Sequence, residues 1–277
     1  MQHILITGGN AGIGLETAIA LAKKGAKVII ACRNETKAKQ AVLDIKKAAG
    51  SEAVDYLVCD LSSFDSIKSC AENYLNKFGQ IDVLVNNAGL FTNTLQLTKE
   101  GFELQFGVNH LGHFLLTHLL LDALQKSAAP RIVNVSSGAH YNGKINMQYF
   151  RGEMGAEKYK GMPAYQQSKL ANILFTKELA RRYPNICSHA LHPGVVSTEI
   201  AQKAGSWFLA TLWRVFRPLM LTAEKGAKTS VYVASSPDVL TVNGRYYDKS
   251  KEKEPAPLAN DETLAKALWE ASERMIS

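Results

Sequence analysis

The chain has 277 residues, 46% of them hydrophobic, with 32 Lys and Arg against 25 Asp and Glu for a formal charge of +7. That length and apolar content suit a single α/β unit with a large core, 1–277 without a domain boundary. The positive residues are scattered, with no basic stripe interleaved with aromatics, which argues against nucleic acid as a partner. The four cysteines, Cys32, Cys59, Cys70 and Cys187, lie far apart with no C-x-x-C pair. A disulfide framework and a zinc site are both disfavoured, and reduced thiols in the cytoplasm are the expectation.

Met1 and Gln2 lead directly into HILITGG, without the charged region, apolar region and cleavage site of a secretory signal. From there short β-branched runs alternate with helical periodicity. HILITG is followed by a helix over 12–24, KVIIACR by one over 35–49, VDYLVCDL by one over 63–78, and IDVLVNNAG by one over 100–125. RIVNVSS precedes a helix over 163–182, then come ICSHALHPG, a helix near 223–235, VNGRYYD and a last helix near 260–275. Nearly all-apolar strands alternating with helices predict a doubly wound parallel sheet of the Rossmann type, flanked by helices. KSKEKEPAP at 249–257 reads as a solvated loop. The apolar runs 114–124, too short, and 207–221, broken by Arg214, Arg217 and Pro218, do not predict a membrane span.

The first strand-to-helix turn carries Gly8, Gly12 and Gly14 in a G-x-x-x-G-x-G spacing. Such a turn lets backbone N–H groups at a helix N-terminus approach a pyrophosphate, which points to a dinucleotide. The second strand ends IIACRNE, where an acid would bond a ribose 2′-hydroxyl and an arginine would suit a 2′-phosphate. Cys32 offers no carboxylate and Arg33 follows it, which favours NADP(H); Glu35 as a ribose acid is the rival reading.

Tyr165 and Lys169 stand one helical turn apart at the head of the helix over 163–182. A phenol exchanges protons poorly at neutral pH, and lowering its pKa from about 10 by three units takes roughly 4 kcal/mol. One positive charge about 4 Å away supplies energy of that order at an effective dielectric near 20. The expectation is that Lys169 makes Tyr165 an acid and base for a carbonyl–alcohol pair.

T-G-x-x-x-G-x-G at Thr7–Gly14, CDL with Asp60, NNAG at Asn86–Gly89, VNHLGHF with Asn109, IVNVSS ending at Ser137, Y-x-x-x-K at Tyr165–Lys169 and HPGVVST at His192–Thr198 together resemble the short-chain dehydrogenase/reductase family. The match covers nearly the whole chain. The long interval between Ser137 and Tyr165, the ACRN stretch and the ending SKEKEPAPLANDETLAKALWEASE look like its retinol dehydrogenase branch, which also resembles light-dependent protochlorophyllide reductases.

The resemblance implies a coenzyme site and a catalytic set. Gly8, Asn10, Gly12, Ile13 and Gly14 would form the pyrophosphate turn, Asp60 and Leu61 border the adenine, and Asn87, Ala88 and Gly89 support the ribose. Pro193, Gly194, Val196 and Thr198 would hold the nicotinamide carboxamide. Asn109, Ser137, Tyr165 and Lys169 would be catalytic, with Tyr165 and Lys169 also touching the coenzyme. Ser137 would donate to the substrate oxygen, with Ser136 the runner-up. Asn109 would hold a water near Lys169, or else its side chain simply satisfies backbone groups.

The implied activity is NADP(H)-dependent interconversion of a hydrophobic carbonyl compound, retinal-like or lipid-derived, with its alcohol. A protochlorophyllide-reductase-like enzyme and a non-catalytic NADP(H) sensor are the alternatives. The segment 200–222, rich in Trp207, Phe208, Leu212, Trp213 and Phe216, reads as an apolar lid, a peripheral membrane contact or a contact in a homo-oligomer. His110, His113 and His118 lack a carboxylate or thiol partner pattern, so no metal is expected, and His192 is assigned to local structure.

Overall fold

Parallel strands buried on both faces need side chains that are apolar in both directions of the pleat, and the N-terminal half supplies them. A computed structural model describes residues 1–194 and 222–277. In chain order the strands are β1 (His3–Thr7), β2 (Lys27–Cys32), β3 (Val54–Val58), β4 (Val83–Asn86), β5 (Arg131–Val135), β6 (Cys187–His192), β7 (Tyr246–Asp248) and β8 (Lys251–Glu252). They lie in the order β3-β2-β1-β4-β5-β6-β7-β8. All neighbours pair parallel except β7 with β8.

The helices are α1 (Gly12–Lys23), α2 (Glu35–Ala49), α3 (Phe64–Phe78), α4 (Leu104–Phe106), α5 (Gly112–Leu124), α6 (Gly161–Arg182), α7 (Ala223–Ser235) and α8 (Glu262–Ile276). Alternate residues of each strand serve opposite layers. Leu5, Ile29, Leu84 and Ile132 lie side by side in register and face α3 and α5, while Ile4, Ile6, Val28, Ile30, Val83 and Val85 face α1, α2 and α7. The order reverses between β1 and β4, and the crevice at the carboxyl ends of that pair is where such sheets bind ligands.

Local chemistry sets the helix ends. Asn34, Ser63, Thr222 and Asp261 each accept a backbone N–H into the first turn of α2, α3, α7 and α8. The helix expected over 100–125 is divided. Glu103 caps α4 by accepting from Gln105 N and Phe106 N, a π turn follows at Gly107–Leu111, and α5 completes the run. The stretch expected as a solvated loop at 249–257 instead begins with a hairpin, in which Lys249 (φ 52°) and Ser250 (φ 59°) form the two-residue turn into β8, and Ala256 is buried. Among the described residues no helix is long and apolar enough to cross a membrane.

Candidate active site

The crevice between β1 and β4 is lined by the glycine turn and by Asn87–Gly89. Gly8 has φ +67°, a left-handed conformation that suits glycine. A Cβ on Gly14 would collide with the Gly8 carbonyl oxygen and stand 2.5 Å from Asn87 Nδ2, so the turn closes onto β4 only without a side chain there. Asn87 Nδ2 donates to the Thr7 carbonyl at 2.8 Å, locking the two loops together.

Whether this cradle fits an anionic coenzyme is answered by the start of α1. Its N-cap, Ala11, has no side-chain acceptor, so the leading N–H groups of α1 lack the capping oxygen that α2, α3, α7 and α8 possess. Asn10 and Ile13 belong to the same turn. Open amide donors at a helix N-terminus fit a pyrophosphate.

At the end of β2 the Cys32 thiol lies against the backbone N–H groups of Asn10 and Gly9, and burial pushes its pKa up to about 12. Neither Gly9 nor the thiol stood out in the motif spacing; a Cβ on Gly9 would run into Ile30. Arg33 is exposed immediately beyond. Glu35 begins α2 and is engaged, with Lys39 Nζ at 2.9 Å and the Tyr56 hydroxyl donating at 3.1 Å, and the lysine holds its carboxyl below the usual range. On the far side of the turn, Asp60 Oδ1 accepts from Ser62 N and Ser62 Oγ at 3.0 and 2.7 Å, and Leu61 is buried.

The chemical groups gather at the ends of β4, β5 and β6. Ser137 follows β5, its hydroxyl accepting from Ala139 N at 3.2 Å and standing close enough to the Tyr165 phenol to favour its ionisation. Ser136 is buried and donates to the Lys169 carbonyl at 2.7 Å, so it braces α6 and Ser137 is the serine that meets Tyr165. Phe91 stands edge-on to the Tyr165 ring, centroids 5.7 Å apart at 81°. Lys169 is buried, its ammonium donating to the Val135 carbonyl at 3.1 Å and lying 5.6 Å from the Tyr165 ring centroid.

The expected lowering of the Tyr165 phenol by the Lys169 charge is opposed by burial. Burial pushes the phenol up, opposed by the neighbouring Ser137 hydroxyl, and burial lowers Lys169 to about 8. The packing that brings the two groups together strips water from both, and desolvation disfavours the charged form of each.

Asn109 lies on the π turn. Its Oδ1 accepts from Leu90 N at 2.8 Å, and its Nδ2 donates to Leu90 O and Ser168 Oγ, both at 3.0 Å. The carboxamide therefore satisfies backbone groups of Leu90, the second of the two readings, and ties the loop after β4 to α6. A Cβ on Gly89 would stand 3.3 Å from both Asn109 Oδ1 and Lys169 Nζ, which places those two groups side by side.

Pro193 and Gly194 follow β6, with Gly194 at φ +88°. Val196 and Thr198, and the segment 200–222 up to Leu221, lie outside the described residues. His192 Nδ1 accepts from Gly138 N at 3.1 Å and so buttresses the loop after Ser137. His110 reaches Ser272 Oγ at 3.1 Å, His113 reaches Thr7 Oγ1 at 2.8 Å, and His118 stacks on Phe114. Among the described residues no three His, Cys, Asp or Glu side chains gather as metal ligands.

Comparison with known proteins places this geometry. The family model for short chain dehydrogenases matches residues 2–208. Human retinol dehydrogenase 13 is 42% identical over 281 residues, spanning 99% of this chain and 84% of that protein. Mouse retinol dehydrogenase 14 is 43% identical, spanning 99% and 86%. Among solved structures, an uncharacterized protein from Mycobacterium Paratuberculosis aligns with a TM-score of 0.80 and 33% identity over 100% of this chain and 93% of that one. The 3-ketoacyl-(acyl-carrier-protein) reductase from Brucella melitensis, complexed with NADH, aligns at 0.68 with 25% identity over 89% and 96%. By its family match, its relatives and its fold, the chain belongs to the short-chain dehydrogenase/reductase family and is an oxidoreductase of the retinol dehydrogenase branch.

Proposed function

We propose that the chain is an NADP(H)-dependent enzyme that interconverts a hydrophobic aldehyde or ketone with its alcohol, using Tyr165 as acid and base. The observation that carries the reading is the convergence of Ser137, Tyr165 and Lys169, with the buried ammonium held on the Val135 carbonyl 5.6 Å from the Tyr165 ring centroid. A bound nicotinamide supplies or accepts the hydride. Ser137 donates to the substrate oxygen as negative charge builds there, and Tyr165 delivers the proton that the resulting alkoxide requires. Lys169 provides a fixed positive charge where water is excluded. Phe91 gives the Tyr165 side of the site an apolar wall, which suits a hydrophobic substrate.

NADP(H) is supported by Arg33 at the end of β2 and by the engagement of Glu35 with Lys39 and Tyr56. The names of the relatives, retinol dehydrogenases, support a retinal-like carbonyl. Four free, buried cysteines support residence in the reducing cytoplasm.

The test follows NADPH absorbance during incubation with retinal, lipid aldehydes, bulky ketones and quinones. NADPH consumption matched by alcohol formed is expected. Tyr165→Phe should lose at least about 100-fold in turnover while binding NADPH as before. An inert wild-type chain, or a Tyr165→Phe variant at full rate, overturns the reading.

A further inference from the structure

Thr7 closes β1 inside the crevice, and His113 stands at the start of α5, four residues beyond Asn109. The two are 106 residues apart in sequence, yet Thr7 Oγ1 and His113 Nε2 lie 2.8 Å apart, and both residues are buried. A hydroxyl has one proton and two lone pairs. Both lone pairs of Thr7 Oγ1 are occupied, by the N–H groups of Asn87 at 2.9 Å and Ala88 at 3.0 Å. Its proton must therefore point elsewhere, either to His113 Nε2 or to the Val85 carbonyl at 3.4 Å. The shorter bond takes it.

That choice determines the tautomer of the imidazole. Nε2 accepts, the ring proton sits on Nδ1, and Nδ1–H donates to the Asn109 carbonyl at 3.1 Å. The opposite tautomer would aim Nε2–H at an oxygen with no lone pair left and set a bare Nδ1 against a carbonyl oxygen. Burial keeps the ring uncharged, lowering its pKa to about 4, and the Lys169 charge acts in the same direction.

We propose that His113 is a positioning residue, whose neutral ring links the backbone cradling the coenzyme, through Thr7, to the Asn109 carbonyl on the π turn beside Lys169. The proposal rests on the coenzyme-dependent reading above. At one end the chain of bonds orients the amides of Asn87 and Ala88. At the other it holds Asn109, whose carboxamide fixes Leu90 and Ser168. His113 itself touches neither substrate nor coenzyme; it sets where the groups that do so stand.

The two ring nitrogens can be replaced one at a time, because Asn offers a donor at the δ position and Gln an acceptor at the ε position. His113→Asn keeps the bond to Asn109 and deprives Thr7 of its acceptor; His113→Gln does the converse; His113→Leu removes both. The NADPH Kd, read by fluorescence titration, should rise about tenfold in His113→Asn and stay within about twofold in His113→Gln. The kcat for carbonyl reduction should fall about tenfold in His113→Gln, and His113→Leu should show both losses. A merely structural histidine would lower the thermal stability of all three without this division.

Nitrogen NMR of the imidazole requires neither coenzyme nor substrate and should show the Nδ1–H tautomer at neutral pH. An Nε2–H ring overturns the proposal whatever the kinetics. A wild-type chain that binds NADPH, with three variants sharing one Kd and one kcat, overturns the proposal and leaves the functional reading standing. A chain that shows the expected tautomer but neither binds coenzyme nor turns over any carbonyl overturns both.

Discussion

Arg33 stands where a carboxylate would repel a 2′-phosphate, and its exposed guanidinium can form a paired hydrogen bond to one. On the proposed reading, replacing it removes one charge-assisted contact to the 2′-phosphate, a group that NADH lacks. Arg33→Ala should therefore raise the NADPH Kd about tenfold and change the NADH Kd by less than about twofold, as read by parallel fluorescence titrations. Residues of this kind are legible in sequence because their role follows from a position at a strand end. Ser137 is placed likewise by the end of β5, whereas Tyr165 and Lys169 are placed together by their one-turn spacing on α6. Thr7–His113, the Cys32 thiol against Gly9 and Asn10, and the bonds from Asn109 to Leu90 and Ser168 were not legible, because each joins segments that become neighbours only after the sheet forms. Nor could helical spacing report the direction of the Tyr165 shift, since an i,i+4 pattern carries charge and distance but no measure of the water lost.

Elements with local punctuation were read closely. The helix expected over 35–49 is α2 at Glu35–Ala49, because Asn34 caps one end and Gly50, at φ 62°, closes the other. The run at 100–125 was read as one helix because apolar periodicity cannot distinguish an i→i+4 turn from a single wider one. The hairpin at 248–251 was missed for another reason: neither Lys249 nor Ser250 is the Asn or Gly that ordinarily marks such a turn. Both hold φ above 50°, which disfavours side-chain-bearing residues by about 1 kcal/mol each. Ser250→Gly should relieve part of that while keeping the backbone bond from Ser250 N to Thr229 Oγ1. A rise of roughly 1–2 °C in Tm is expected by calorimetry, and a fall would assign the Ser250 hydroxyl a bond of its own.

Across the whole molecule the histidines make stability depend on pH. Burial lowers His110 to about 3 and His113 to about 4, and burial also lowers His3, His140, His189 and His192. In the unfolded chain these rings titrate near 6.5, so between that value and their folded values the unfolded state binds more protons. Their contribution is complete above about pH 6.5 and is lost as pH falls, at about 3 kcal/mol per unit near pH 5 from His110 and His113 together. Glu103, whose carboxyl burial raises, acts in the opposite sense. Urea midpoints measured from pH 7 to pH 4 should fall steeply, and a flat profile would mean that these rings are hydrated. On the alkaline side the fold holds Lys169 at about 8 against an ordinary value near 10.5, so the penalty of its buried charge diminishes as pH rises through that interval.

The fold class followed from strand–helix alternation, but the packing of α8 did not, because an amphipathic helix does not state what covers its apolar face. Trp269 on α8 stacks with Phe175 of α6 at 5.7 Å and meets Phe114 of α5 at 4.9 Å, and Ser272 accepts from His110 on the π turn. That aromatic seam gives translation a timetable. A nascent chain can lay down β1 to β6 in order, yet the helices bearing Lys169 and His113 keep rings open to water until residues 262–276 leave the ribosome. The packing beneath those two helices is thus completed by a helix made long after the glycine turn.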